Sequence, residues 1–277
     1  NPSDAHTPRH GQPGCRSTTD RPDLPLLAHW KAVARGRMGR DHAFMSGPRR
    51  LFDVGCGQWV LDRLVEPRHP GCQVGTALPA GFDRVVRVLH PAGDGRTWVQ
   101  VAASSGRQVH PLVQWGSIAP HFDGSGRSGD VDPEEGSIPP ESLAAILEHC
   151  PTDHDVTYAL WVGFGSWAAR GDRHALLPGW GGRDYLLFEA PKAPIMTWPG
   201  MDPIWPQSAN LIWPQDHSWC VATEIDWDST LIAGPYPVTQ AILDDERLET
   251  FEVDYGDDLS WYGDHVNPLP DWLRARR

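Results

Sequence analysis

The sequence predicts an α+β domain, a mainly antiparallel sheet with one or two helices packed on one face. Three observations lead there. Ala209–Gly234 (ANLIWPQDHSWCVATEIDWDSTLIAG) reads as three strands in succession, with turn-type residues at Pro214–His217 between the first two. Ser137–Cys150 and Pro235–Asp244 carry helical spacing with one apolar face each. The regular helix–strand alternation of a doubly wound sheet is missing, which argues against a parallel architecture.

Taken in order, residues 1–44 lack apolar periodicity and are rich in Pro, Gly, Arg, His, Ser and Thr. They are expected to be an unstructured leader or an upstream extension, with the domain running over 45–266 and a tail over 267–277. Leu51–Gly57 (LFDVGCG) is a short apolar strand ending in a GxG turn, and Trp59–Val65 is a short helix. Phe82–Leu89 (FDRVVRVL) is a strand stopped by His90–Pro91, and Trp98–Ala102 is a further apolar segment. Phe122–Gly136 is a Gly/Ser/Asp loop.

In Ser137–Cys150 the serine can cap, Pro139 and Pro140 suit the first turn, and Leu143, Ile146 and Leu147 share a face. Pro151 stops it. Val156–Phe164 is an apolar run expected at the centre of a sheet, Tyr185–Ala190 is another strand, and Glu249–Val253 is the last strand. Within Ser218–Asp228, residues 219, 221, 223, 225 and 227 fall at period two. Trp219 and Trp227 are therefore expected to face the core, with Glu224, Asp226 and Asp228 on a solvent face.

Charge narrows the function classes. The net charge is −12, yet residues 1–50 carry nine Lys/Arg against four Asp, so the rest carries −17. An acidic body repels phosphate backbones, so nucleic acid is not expected on the folded part. No run of eighteen apolar residues is present, so no membrane span is expected. Five scattered cysteines, odd in number and without a CxxC pair, suit a reduced cytoplasmic setting better than a disulfide framework.

The segments GFDRVVRVLHPA at 81–92, LWVGFG at 160–165, RDYLLFEAP at 183–191 and LIWPQDHSWCVATEIDWDSTLIAG at 211–234 resemble an uncharacterised family of actinobacterial proteins. The resemblance covers about residues 81–253 and implies a single domain beginning well inside the chain. The family has no assigned activity, so no catalytic residue is carried over.

Three features could bear chemistry. Glu224, Asp226 and Asp228 could hold a hard cation or act as an acid/base pair, provided that other ligands converge on them; a solvated acidic sheet edge is the favoured reading. The GxG at Gly55–Gly57 resembles the first motif of S-adenosylmethionine-dependent methyltransferases, but Trp59 stands where a third glycine would. The acidic residue expected about twenty positions on is also missing. Asp130, Asp132, Glu134 and Glu141 have EF-hand-like spacing, but Glu135 occupies the position that needs glycine. Fourteen tryptophans suggest an aromatic groove, with Trp198, Trp205 and Trp261 the expected lining. The reading that follows is a non-catalytic binding module that engages a basic protein through an acidic surface, with no cofactor or metal. The alternative is an enzyme, centred on Glu224–Asp228 or on the GxG.

Overall fold

The computed structural model describes residues 47–65, 72–119, 131–164, 176–179 and 183–274. The expected leader and Phe122–Asp130 of the expected loop lie outside the described residues. Eight strands form one sheet in which every pair is antiparallel: β1 (Arg49–Leu51), β2 (Arg84–Leu89), β3 (Val156–Trp161), β4 (Tyr185–Ala190), β5 (Leu211–Pro214), β6 (Cys220–Thr223), β7 (Ser229–Gly234) and β8 (Glu249–Val253). The spatial order is β1-β4-β3-β5-β6-β7-β2-β8. The expectation of an α+β fold with a mainly antiparallel sheet holds.

The helices are α1 (Gln58–Arg63), α2 (Val74–Ala77), α3 (Trp98–Ser105), α4 (Trp115–Ile118), α5 (Pro140–His149), α6 (Tyr236–Leu243) and α7 (Asp271–Arg274). They are more numerous than expected and cover both faces of the sheet. On one face Leu143, Ile146 and Leu147 of α5 and Val238 and Ile242 of α6 pack on Tyr158, Phe188, Ile212, Val221 and Ile232. On the other, Val60 of α1 with Val74 and Leu78 at α2 meets Val85, Leu187, Trp213, Ala222 and Leu231. A third cluster joins α3 and α4 to the end of β2 through Leu89, Trp98, Val101, Trp115 and Ile118. A sheet covered on both faces needs apolar residues at successive positions, which is why β2, β3 and β7 read as near-continuous apolar runs.

Two local expectations are corrected. Trp98–Ser105 is a helix because Thr97 and Gln100 close a capping box on its first turn. The strand expected over 218–228 stops at Thr223. Glu224 accepts from the Trp227 amide (3.1 Å) and its carboxylate accepts from the Asp226 amide (2.7 Å), so the chain turns there toward β7. Trp219 therefore packs with the α5/α6 face and Trp227 with the opposite one. The period-two pattern runs on in sequence past the residue where the strand itself ends.

Among the described residues no helix is long and apolar enough to cross a membrane. Cys72, 1% exposed, is disulfide-bonded, against the expectation of no disulfide framework, while Cys56, Cys150 and Cys220 are free thiols.

Candidate functional site

Glu224, Asp226 and Asp228 do not form a solvent-facing row. Arg183, just ahead of β4, reaches across to the β6–β7 turn and takes two of them, its Nε lying 3.0 Å from Glu224 Oε1 and its Nη2 2.8 Å from Asp226 Oδ2. Those side chains are only 11% and 4% exposed. Burial pushes the Glu224 carboxyl up to about 6, opposed by the Arg183 charge and reinforced by Asp226. Burial also raises the Tyr185 phenol, with the Glu224 charge adding to it. Sequence reasoning missed Arg183, which sits some forty residues upstream in an unremarkable RDY segment.

Asp228 belongs to a different group. Its carboxylate lies 3.8 Å from Arg87 Nη2, and its carbonyl accepts from the His90 amide at 3.0 Å. Arg87 is 1% exposed, an arginine in the middle of an apolar strand. It donates to Ser229 Oγ (3.0 Å) and to the carbonyls of Pro111 (3.0 Å) and Val113 (2.9 Å), and stacks over Trp98. Burial lowers its pKa to about 10, against the pull of Asp228 and Asp264. His90, next along, is held neutral by burial, its pKa lowered to about 4; its ring nitrogens meet the Glu134 carbonyl (2.7 Å) and Thr230 Oγ1 (2.9 Å). The three carboxylates thus divide between two arginines. Among the described residues no group of three or more His, Cys, Asp or Glu is placed to hold a metal ion.

The tryptophans also separate. Trp198 is 4% exposed, wedged between Tyr158 and Phe188, with its Nε1 donating to the Gln207 carbonyl at 2.8 Å. It is a core residue and lines no groove. Trp205 is 47% exposed on a turn closed by its amide on the Asp202 carbonyl, and Trp261 is half-buried. The Gly55–Gly57 turn follows an edge strand of an antiparallel sheet, so there is no crevice at a strand-order reversal to receive a dinucleotide-like cofactor. A Cβ at Gly57 would stand 2.6 Å from Leu177 Cδ2, so this glycine makes room for a core leucine. Asp132 of the EF-hand-like segment accepts from Trp115 Nε1 at 2.8 Å.

What the fold does assemble is an open polar cleft of about 570 Å³ where β3 begins and β4 and β5 end. Thr152–Asp155 ahead of β3 line it, flanked by Glu189, Pro191 and Lys192 from the end of β4 and by Gln215 from the end of β5. Thr152 Oγ1 fixes the turn ahead of β3 by accepting from the His154 amide (3.2 Å) and donating to its carbonyl (3.1 Å). Glu189 pairs with Arg49 across the β1–β4 ladder, and Lys192 donates to the Cys150 carbonyl. Asp153 and Asp155 are exposed, and among the described residues no cation pairs with either. The signal in sequence was the Asp-His-Asp directly after the helix stop at Pro151.

No family model, curated protein or solved structure matches this chain. The functional reading rests on the residues alone.

Proposed function

We propose that the domain is a non-catalytic binding module that engages a basic protein, with the cleft at Asp153, Asp155 and Glu189 as its contact. The observation that carries this is the unequal use of charge. Arg49, Arg84, Arg96, Arg183 and Arg247 each sit on carboxylates of the same chain, while Asp153 and Asp155 stay exposed and unpaired beside an open cleft. Exposed carboxylates of this kind raise the local concentration of cations and speed encounter more than they deepen affinity. The same field disfavours nucleic acid. The free thiols fit the reducing, cytoplasmic setting expected from composition, and the bonded Cys72 does not.

Polylysine is the simplest probe. It should bind at low ionic strength and be released as salt approaches about 0.5 M. Asp153→Asn/Asp155→Asn should weaken it several-fold, and unchanged binding in that variant would remove the cleft from the reading.

One observation favours an enzyme instead. A buried carboxyl near pH 6 can both give and take a proton close to neutrality, and Glu224 is such a group. Arg183 already occupies it together with Asp226, which is the arrangement of an ion-pair network, and the binding reading stands ahead.

A further inference from the structure

We propose that the free edge of β8 receives an extended, basic segment of a partner protein as a ninth strand of the sheet. The inference goes beyond the cleft and shares with that reading only the sign of the partner's charge.

β8 is the last strand in the spatial order and pairs on one side only, with β2, from Val85↔Val253 to Leu89↔Glu249. A strand bonded on one side turns every second N–H and C=O to the other, and such groups are a template for pairing. Natural edges are blunted by shortness, charged side chains, Pro or a bulge, and the exposed charge on β8 is Glu252, which Arg84 neutralises. β1 at the opposite edge has three residues and two arginines, whereas β8 has five residues in unbroken register and neither Pro nor Lys. Among the described residues no backbone hydrogen bond from another segment reaches Thr250–Val253 on the open side. Neighbouring elements mark out this window. The Glu249 carboxylate is taken by the Trp98 and Val99 amides of α3, and beyond the strand the Tyr255 and Asp257 carbonyls are taken by Gly75 and Val74.

The side chains at the window select the occupant. Glu252 is exposed and holds Arg84, whose guanidinium stacks on the 58% exposed ring of Tyr236. Asp254 follows, also exposed, and Asp257 and Asp258 continue the acidic run. Arg84 already holds Glu252 and the Tyr236 face, so the carboxylate a Lys or Arg on an incoming strand would meet is that of Asp254, an opposite-charge pairing across strands. A second copy of the same edge would bring acid against acid, which cross-strand pairing penalises. The recognition mode is strand addition, in which the main chain supplies affinity and alternate side chains supply specificity.

The test uses two short peptides of equal charge, one alternating lysine with threonine and one alternating lysine with proline, which cannot donate to a ladder. The lysine–threonine peptide should bind about tenfold tighter than the lysine–proline one. Glu252→Lys should abolish that advantage, and Asp153→Asn/Asp155→Asn should leave it intact. Hydrogen exchange supplies a readout independent of variant folding, because amides of Thr250–Val253 that exchange freely in the free protein should slow when the peptide is added. Equal binding of the two peptides, or no binding of either, would overturn strand addition. So would outward-facing amides of Thr250–Val253 already protected without peptide, the edge then being covered by the chain itself or by a second copy. If the cleft variant alone removes peptide binding, the acidic-module reading stands and this inference falls.

Discussion

Glu224 and His90 pull the acid stability of the domain in opposite directions. Burial raises the Glu224 carboxyl from its usual 4.5 to about 6, so the folded chain holds this proton more tightly than the unfolded one. Its contribution is full below the unfolded value and is lost as pH rises through about 6. Burial lowers His90 from its usual 6.5 to about 4, so the unfolded chain takes that proton first, and stability is lost as pH falls between those values. The His90 shift is the larger, about 3 kcal/mol against about 2 for Glu224. Net stability should therefore fall on acidification from about pH 6.5 to 4.5, and Glu224→Gln should make the fall steeper by removing the opposing gain. Urea unfolding across that range checks this, and curves of equal slope would contradict it.

The same turn corrects the expectation that Glu224 and Asp226 lie on a solvent face. Removing both in Glu224→Gln/Asp226→Asn leaves the half-buried Arg183 without an anion, which should cost roughly 1–3 kcal/mol after allowing for solvent at the guanidinium. Trp219→Ala, at a position 0% exposed, should cost about 3–5 kcal/mol. Denaturant midpoints of the two variants against the wild type would show it, and a double variant indistinguishable from wild type would put the carboxylates back in solvent. Burial of Trp219 and Trp227 was legible in their spacing. Burial of Glu224 and Asp226 was not, because what makes it tolerable is Arg183, distant in sequence and brought close only by the sheet.

Among the elements, Gly136 is the clearest constraint on how the loop before α5 meets the β6–β7 turn. It lies at φ +76°, its amide donates to the Trp227 carbonyl at 2.9 Å, and a Cβ there would run into the backbone of Ile225. Gly136→Ala should cost more than about 2 kcal/mol, from backbone strain and collision together. A thermal melt within a degree of wild type would refute that packing. Elements with a strong single period or hard punctuation were legible to within a few residues: β4 between glycines and Pro191, β8, α5 before Pro151, and α6. α3 was read only as an apolar segment because five residues of Trp98–Ala102 do not distinguish a helix from a strand. The deciding signal was the Thr97–Gln100 box at its start. Helices on both faces followed from the same continuous apolar strand that had been read as central, since a strand buried on two sides needs two layers over it.

For the whole molecule, the antiparallel sheet and the absence of alternating helices were readable from the order of the elements, while the cleft was not. It exists only because the start of β3 and the ends of β4 and β5 meet, joining Asp153 and Asp155 to Glu189 and Lys192 over a gap of more than thirty residues. Asp153, Asp155 and Glu189 against the single Lys192 give that cleft its sign. The most direct measurement of the central claim is a backbone amide NMR map of the protein titrated with the lysine–proline peptide, which does not add to the β8 edge. Shifts should gather at Thr152–Asp155, Glu189–Lys192 and Gln215 and collapse at about 0.5 M salt. Shifts spread evenly over the surface, or gathered at Arg183 and the β6–β7 turn, would contradict an acidic cleft as the contact.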